Sequence, residues 1–154
     1  MEFELNGATL KFENNNFYRF KAGRWKLTKM SDCKGYNRLS ITTNKIIKHY
    51  LVHRVVYWLY NRDWNIENPK LTIDHFDRNK INNDISNLRH VTQQENCFNK
   101  DAKGYCWDKR VNKYKAQIVL SGKPIYLGYF VQEEDARQAY LTAKLKYHVI
   151  EVRV

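Results

Sequence analysis

The sequence predicts an α+β fold: a β-rich N-terminal region, a strand–loop–strand–helix motif, then a three-stranded antiparallel sheet packed on one helix. Three observations carry that expectation. Between Phe3 and Leu51, apolar residues alternate with polar ones in short runs broken by turn-forming pairs, the pattern of half-buried strands. Over residues 72–100, two short β-branched runs frame an Asn-rich loop and give way to a polar segment with helix-capping spacing. After Gly104, three further strand-like runs precede a segment with small and aromatic residues on one helical face.

Taken in order, Phe3 and Leu5 lead to Asn6-Gly7, a pair that suits a type I′ hairpin turn, and Ala8, Leu10 and Phe12 continue the alternation. Asn14-Asn15-Asn16 reads as a turn. Residues 17–22, 24–30, 36–42 and 46–51 follow as short strands, divided by Gly23, by residues 32–35 and by Thr43-Asn44. Cations recur along them: Arg19, Lys21, Arg24, Lys26, Lys29, Lys34, Arg38, Lys45 and Lys48. Solvated strand faces often carry such residues for solubility. Acids are nearly absent between Lys21 and Lys48, so contact with a DNA backbone is the expectation here. The sequence does not say which of these cations touch DNA.

Residues 53–60 read as a helix with Val55, Val56 and Leu59 as its apolar stripe, and residues 62–69 as a connecting loop. Leu71-Thr72-Ile73 then delivers an adjacent acid and imidazole, Asp74-His75, and residues 87–92 form a second short strand. Thr92 is an N-cap with Glu95 three residues on, the capping-box spacing. This order brings the end of the first strand close to the middle of the helix, so Asp74, His75 and Asn96 are expected to converge. Asp74 offers a carboxylate and Asn96 a carbonyl oxygen, donors that suit Mg²⁺ or Mn²⁺. An imidazole such as His75 titrates near neutrality and suits proton removal from water.

Asp74-His75, the Asn82-Asn83 loop, the 87–89 and 91–92 runs, Asn96 and Asn99 together resemble the HNH (ββα-metal) nucleases, especially the phage and intron-encoded homing or nicking type. The resemblance implies DNA hydrolysis with one divalent metal ion, giving 5′-phosphate and 3′-hydroxyl ends. It makes Asp74 and Asn96 the metal ligands and His75 the general base, with the main-chain carbonyl at Asn87 orienting the imidazole. The run from Val52 to Val56 resembles the supporting helix of such nucleases, with His53 as a scaffold imidazole rather than a catalytic one. Asn79, Asn82 and Asn83 shape the loop, and Asn99 stands behind Asn96. Arg89 either packs or meets phosphate; it and Arg54 join the candidate DNA contacts.

Residues 104–110, 113–118 and 125–130 form the three C-terminal strands, with turns at Val111-Asn112 and Ser121-Gly122. Residues 133–147 follow as a helix with Ala136, Ala139, Tyr140 and Ala143 on one face. Residues 103–147 resemble the APETALA-type (ethylene-response-factor) DNA-binding domain of plants, which implies a sheet that enters the major groove. By alternation Tyr114, Ala116 and Ile118 face the helix, with Ile125 and Leu127 beside them. Lys113, Lys115, Gln117 and Tyr126 then face outward and, with Lys109 and Arg110, are expected to contact DNA. That face has fewer arginines than the plant pattern, so no target sequence is inherited from it.

A chain of 154 residues with 43% hydrophobic residues and 2 prolines has room for one medium domain or two small ones, and the motifs argue for two. They are expected at residues 1–100 (β-rich segment and nuclease motif) and 101–154 (DNA-binding module). The net charge of +11, with aromatics at 14%, asks for a polyanionic partner, and double-stranded DNA fits it. No apolar run is long enough to span a membrane and no signal pattern opens the chain, so a soluble protein of a bacterial or phage-infected cytoplasm is expected, with no membrane partner. Cys33, Cys97 and Cys106 have no paired spacing, which argues for reduced thiols and against structural zinc; no small-molecule cofactor is expected. A monomer would nick DNA, whereas a homodimer could cut both strands. A restriction enzyme shares the same residues. The rival class is a sequence-specific DNA-binding regulator with a vestigial nuclease site. An RNA-binding protein lacks support, because no RNP-like aromatic motif is present.

Overall fold

Asn6 and Gly7 take positive φ values of 51° and 66°, the backbone that a two-residue hairpin turn needs, and fold β1 (Glu2–Leu5) onto β2 (Ala8–Glu13). Asn14 and Asn15, at 49° and 60°, repeat the device into β3 (Asn16–Lys21), and Ala22-Gly23 into β4 (Arg24–Leu27). The result is a four-stranded antiparallel sheet in sequence order. This is a computed structural model in which residues 1–150 are described, and they fall into two compact units that divide between His90 and Val91.

Within the first unit, β5 (Ser31–Cys33), β6 (Tyr36–Thr43) and β7 (Ile46–Leu51) make a second antiparallel sheet. The turn expected at residues 32–35 is shorter, since Asp32 and Cys33 lie in β5, and the strand expected over residues 24–30 stops at Leu27. Asp32 serves both purposes. Its backbone pairs with Asn37, while its side chain accepts a hydrogen bond from Gly35 N at 3.1 Å and closes the turn. Helix α1 (Val52–Tyr60) buries Val52, Val55, Val56 and Leu59 against both sheets. Leu10, Phe17, Leu39, Ile41, Val55 and Val56 are at most 1% exposed and form the centre of this core. A short two-stranded sheet, β8 (Thr72–His75) with β9 (Leu88–Val91), follows, and a 3-10 turn at Ile85–Asn87 leads into β9.

The second unit opens with helix α2 (Gln93–Phe98), capped as expected. The Thr92 hydroxyl accepts from Glu95 N at 3.1 Å, and the Glu95 carboxylate accepts from Thr92 N at 2.7 Å. Strands β10 (Tyr105–Asp108), β11 (Lys113–Leu120) and β12 (Lys123–Phe130) form its sheet, and α3 (Glu133–Tyr147) packs on it through Tyr140 and Ala143 around Ile118. The polar link before β10 is held by α3. Arg137 donates to the carbonyls of Ala102 and Lys103, and Lys144 to that of Lys100 at 2.7 Å. Gly104 is required here: a Cβ would lie 1.9 Å from the Tyr140 ring, and φ is +78°. The fold class is the α+β arrangement the sequence predicts. No helix among the described residues is long and apolar enough to cross a membrane.

Candidate active site

Strand β8 delivers its last two side chains inward. Asp74 is 6% exposed and His75 5%, both at the edge of the first unit's core. A buried carboxylate needs a counter-charge. Arg89, on the paired strand β9, supplies it: Nε and Nη2 both donate to Asp74 Oδ2, at 2.9 and 2.7 Å. The same guanidinium lies 5.0 Å from the centre of the Phe76 ring.

The loop from Phe76 to Asp84 is tied by asparagines. Asn87, itself buried, donates through Nδ2 to Asp77 Oδ1 at 2.9 Å and to the Asn82 carbonyl at 2.8 Å. Its Oδ1 accepts from Asp77 N at 3.0 Å, and its main-chain carbonyl accepts from Phe76 N at 2.9 Å, one residue past His75. Asp77 also accepts from Asn82 Nδ2 and Asn79 N, both at 2.7 Å, and these bonds hold its carboxyl below the usual carboxylate range. The outcome is that Asn83 Oδ1 reaches His75 Nε2 at 3.3 Å, while Asn83 Nδ2 donates to the Ile81 carbonyl at 3.1 Å. The second bond fixes which way the amide points. With its amide so turned, Asn83 offers an oxygen to this ring nitrogen, an acceptor that suits an Nε2–H. Asn83 was expected only to shape the loop. Its sequence signal, one Asn among three in five residues, did not distinguish it.

Behind His75 stand two further rings. His53 from α1 lies 5.0 Å from it at 77°, and Tyr36 from β6 lies 5.9 Å from His75 and 5.2 Å from His53. Burial, then the charges of His75 and Arg54, lower the His53 pKa to about 3, so this imidazole is neutral. Its Nδ1 is buried without a hydrogen-bond partner. Lys80 from the loop sits 4.7 Å over the opposite ring, Tyr36. Arg54 has another occupation. Its guanidinium donates to the carbonyls of Leu71, Ile66 and Asn68 at 2.6–2.8 Å and stacks 4.7 Å from Trp64, which anchors the loop that feeds β8.

The first unit thus brings together Asp74, His75, Asn87 and Arg89, whereas Asn96 lies half-buried on α2 in the second unit. Among the described residues no cluster of three or more His, Cys, Asp or Glu side chains is placed to hold a metal, and the three cysteines are unpaired. Asp74 and Asn96, the ligands the resemblance implies, each carry side-chain oxygen, a donor type that suits a hard divalent cation rather than zinc.

In the second unit's sheet, the face away from α3 carries Lys113, Lys115, Gln117 and Tyr126, opposite the buried Ala116 and Ile118. A bulge in β12 at Leu127 shifts the register between Ala116 and Gln117, so Tyr129 pairs with Lys115 and joins Tyr126 on the outer face, 5.6 Å ring to ring. The Tyr129 hydroxyl donates to Asp108 Oδ2 at 2.8 Å. Arg110 grips the same carboxylate through Nε at 3.2 Å and Nη2 at 3.0 Å. These bonds, Arg110 first, hold the Asp108 carboxyl far below the usual carboxylate range. Strict alternation could not find Tyr129, because the bulge inverts the pattern after Leu127. Lys109 is exposed at the tip of the β10–β11 turn.

Comparison with known proteins agrees with this geometry. Residues 50–97 match the HNH endonuclease family model, from the end of β7 through α2. Two uncharacterized HNH endonucleases of Acanthamoeba polyphaga mimivirus, L245 and L560, are each 37% identical, over 59% and 58% of this chain. The matches take in 28% and 48% of those proteins, so the chain spans less than half the length of the curated relatives it matches. The HNH homing endonuclease I-HmuI, solved in a study of DNA binding and cleavage, superposes with a TM-score of 0.50 at 30% identity, covering 64% of this chain and 56% of that one. Residues 50–97, which carry the buried Asp74 and His75 at the end of β8, are similar to the HNH endonuclease family.

Proposed function

We propose that the chain is a metal-dependent DNA endonuclease that hydrolyses phosphodiester bonds to 5′-phosphate and 3′-hydroxyl ends, in a homing, nicking or restriction role. The observation that carries this reading is the buried Asp74-His75 pair, its acid paired with Arg89 and its imidazole held by Asn83. A general base must be neutral, oriented and near neutrality in its titration. His75 is the imidazole that would take the proton of an attacking water, and the Asn83 contact helps to hold its ring. Asn87 serves by fixing the backbone immediately after His75. Asp74 and Asn96 are the residues that would hold one Mg²⁺ or Mn²⁺, which supplies charge neutralisation at the phosphate and the leaving oxygen. Arg89 is the cation next to that acid and a candidate for phosphate contact.

In this reading residues 1–100 cut and residues 101–154 help choose where, with duplex DNA lying on Lys109, Arg110, Lys113, Lys115, Gln117 and Tyr126. The APETALA-like likeness of that module rests on its three strands and one helix and on the outward polar and aromatic face. Arg54 is better assigned to holding the 66–71 loop than to DNA, since three carbonyls already claim its guanidinium. The viral relatives suit an enzyme acting inside an infected cell. As monomer the enzyme nicks, and as homodimer it cuts both strands.

End-mapping tests the proposal. Purified protein is mixed with a complex pool of genomic DNA, with and without Mg²⁺, and every new end is sequenced by strand. Metal-dependent ends shared at one long sequence, lost in His75→Ala with DNA binding retained, are expected. Salt-sensitive binding without new ends from a pool that contains the bound sequence would instead make the chain a DNA-binding regulator.

A further inference from the structure

The β5–β6 hairpin lies outside residues 50–97, the segment that matches the HNH family model, yet it supplies a ring to the candidate active site. Cys33 pairs with Tyr36, so the turn between them is only Lys34-Gly35. Both residues take positive φ, 55° and 82°, as a two-residue turn requires, and the Asp32 carboxylate locks the turn by accepting from Gly35 N at 3.1 Å. Tyr36 follows at once and sets its ring 5.2 Å from His53 and 5.9 Å from His75. Lys80 reaches this hairpin from the loop that carries Asn83, although it stands 46 residues from Lys34 in the chain. Its ammonium donates to the Lys34 carbonyl at 3.3 Å and lies 4.7 Å over the Tyr36 ring. Its stem runs along Gly35, where an added Cβ would meet Lys80 Cδ at 3.5 Å. Holding an exposed lysine in one such arrangement costs rotamer freedom that a purely solubilising cation would keep.

We infer that Lys80 and Tyr36 are positioning residues for His75: the lysine straps the Asn83-bearing loop to the β5–β6 turn, and the tyrosine ring packs with the imidazole. The inference rests on the proposed nuclease reading. Asn87 Nδ2 binds Asp77 Oδ1 and the Asn82 carbonyl, which gathers those two residues at the root of the loop and leaves residues 78–81 beyond them. Lys80 lies in that outer part, where a tether to another element restrains the loop most. Asn83 follows directly on Asn82 and stands 3.3 Å from His75 Nε2, so a tilt of the loop moves its amide against the imidazole. Tyr36 and His53, the latter at 5.0 Å and 77°, give the His75 ring a packed surface. The cation–π contact joins the two parts, because losing Lys80 frees the tyrosine ring and losing the ring frees Lys80. A shift of about 1 Å at a reacting group can cost on the order of 100-fold in rate, so the strap bears on cleavage without touching DNA. A lysine that met phosphate would act through DNA affinity instead, whereas a strap acts on the rate within the bound complex.

The test separates rate from binding. Full-length wild type, Lys80→Met, Lys80→Arg, Tyr36→Leu, Tyr36→Phe and the double variant of Lys80→Met with Tyr36→Leu are compared on duplex DNA carrying the mapped cleavage site. Single-turnover cleavage should slow roughly 10- to 100-fold in Lys80→Met and in Tyr36→Leu. The slope of log affinity against log salt should change by less than about 0.5 in Lys80→Met, where a lost phosphate contact would change it by about one. Lys80→Arg keeps a cation over the ring and Tyr36→Phe keeps the ring, so both should cut within about threefold of wild type. The double variant should be no slower than the slower single, because the two residues act as one unit. The His75 ring-proton signals, which feel the Tyr36 ring, should shift in Lys80→Met and return in Lys80→Arg. Should Tyr36→Leu misfold, the two Lys80 variants carry the test, since Lys80 is exposed. A wild-type rate in folded Lys80→Met, or penalties that multiply in the double variant, overturns the inference and leaves the nuclease reading standing. A salt slope lowered by about one with an unchanged rate in the bound complex makes Lys80 a phosphate contact and overturns it too. Wild-type protein that makes no metal-dependent ends overturns both.

Discussion

Arg89 holds Asp74 with two donors on one oxygen: Nε at 2.9 Å and Nη2 at 2.7 Å both meet Oδ2. The acid is nearly buried, and the guanidinium is the cation that neutralises it. Arg89→Ala leaves a buried carboxylate without that partner and should lower stability by about 2–3 kcal/mol. A divalent cation at Asp74 would replace the missing charge. Mn²⁺ should therefore raise the melting temperature of Arg89→Ala more than that of the wild type. Thermal melts with and without Mn²⁺ check this, and equal shifts in both proteins would separate Asp74 from the metal.

Asn83 is the loop residue that touches the imidazole, so its effect should fall on rate rather than on binding. Asn83→Ala removes the amide oxygen that stands 3.3 Å from His75 Nε2. By comparison with other groups that orient a reactive histidine, cleavage should slow roughly 10- to 100-fold. Affinity for uncut DNA should not change. Single-turnover cleavage beside a binding titration distinguishes the two, and a variant cutting at the wild-type rate would show that the 3.3 Å contact has no part in catalysis.

The neutral state of His53 makes stability depend on acid. Its pKa falls from an ordinary 6.5 to about 3 on folding, mainly through burial. The unfolded chain then binds one more proton between those values, so this contribution is complete above pH ~6.5 and is lost as the pH falls towards 3. His53→Phe keeps a ring beside Tyr36 and removes the titration. Its unfolding free energy, measured in urea across that range, should decline less with acid than the wild type's. Parallel declines would assign the acid sensitivity to other groups.

Much of this molecule could be read from its sequence because local chemistry decided it. The Asn6-Gly7 hairpin, the Thr92–Glu95 capping box, the 46–51 strand and the 133–147 helix all fall where residue pattern placed them. Each is specified by contacts within a few residues. What escaped depends on pairing between distant segments. Ser31–Cys33 is a strand because β6 lies beside it, although Asp32 prefers turns. Arg54 looks like a surface cation in an HRVV run, yet three carbonyls from the 66–71 loop converge on it. The Asp74-His75 pair was legible as chemistry, but the partners that tune it, Arg89 and Asn83, depend on strand pairing and loop closure.

The Asp108–Arg110 grip gives the C-terminal sheet one side chain of fixed direction. Arg110 spends Nε and one Nη2 proton on the carboxylate, so the edge formed by Nη1 and the remaining Nη2 proton points away from it. That edge has the fork geometry for guanine O6 and N7, while Tyr129 steadies Asp108 from the neighbouring strand at 2.8 Å. Under the proposed DNA reading, Asp108→Ala should release the guanidinium without removing its charge. Binding to random duplex should then stay within about twofold, whereas discrimination at one G·C pair of the cleavage site should fall roughly 5- to 100-fold. Arg110→Lys should reproduce that loss, because an ammonium cannot fork. Selection of bound sequences from a randomised pool, for wild type and both variants, reads the outcome directly. Unchanged base preference in both would reduce Arg110 to a phosphate contact and leave recognition to Lys113, Lys115, Gln117 and Tyr126.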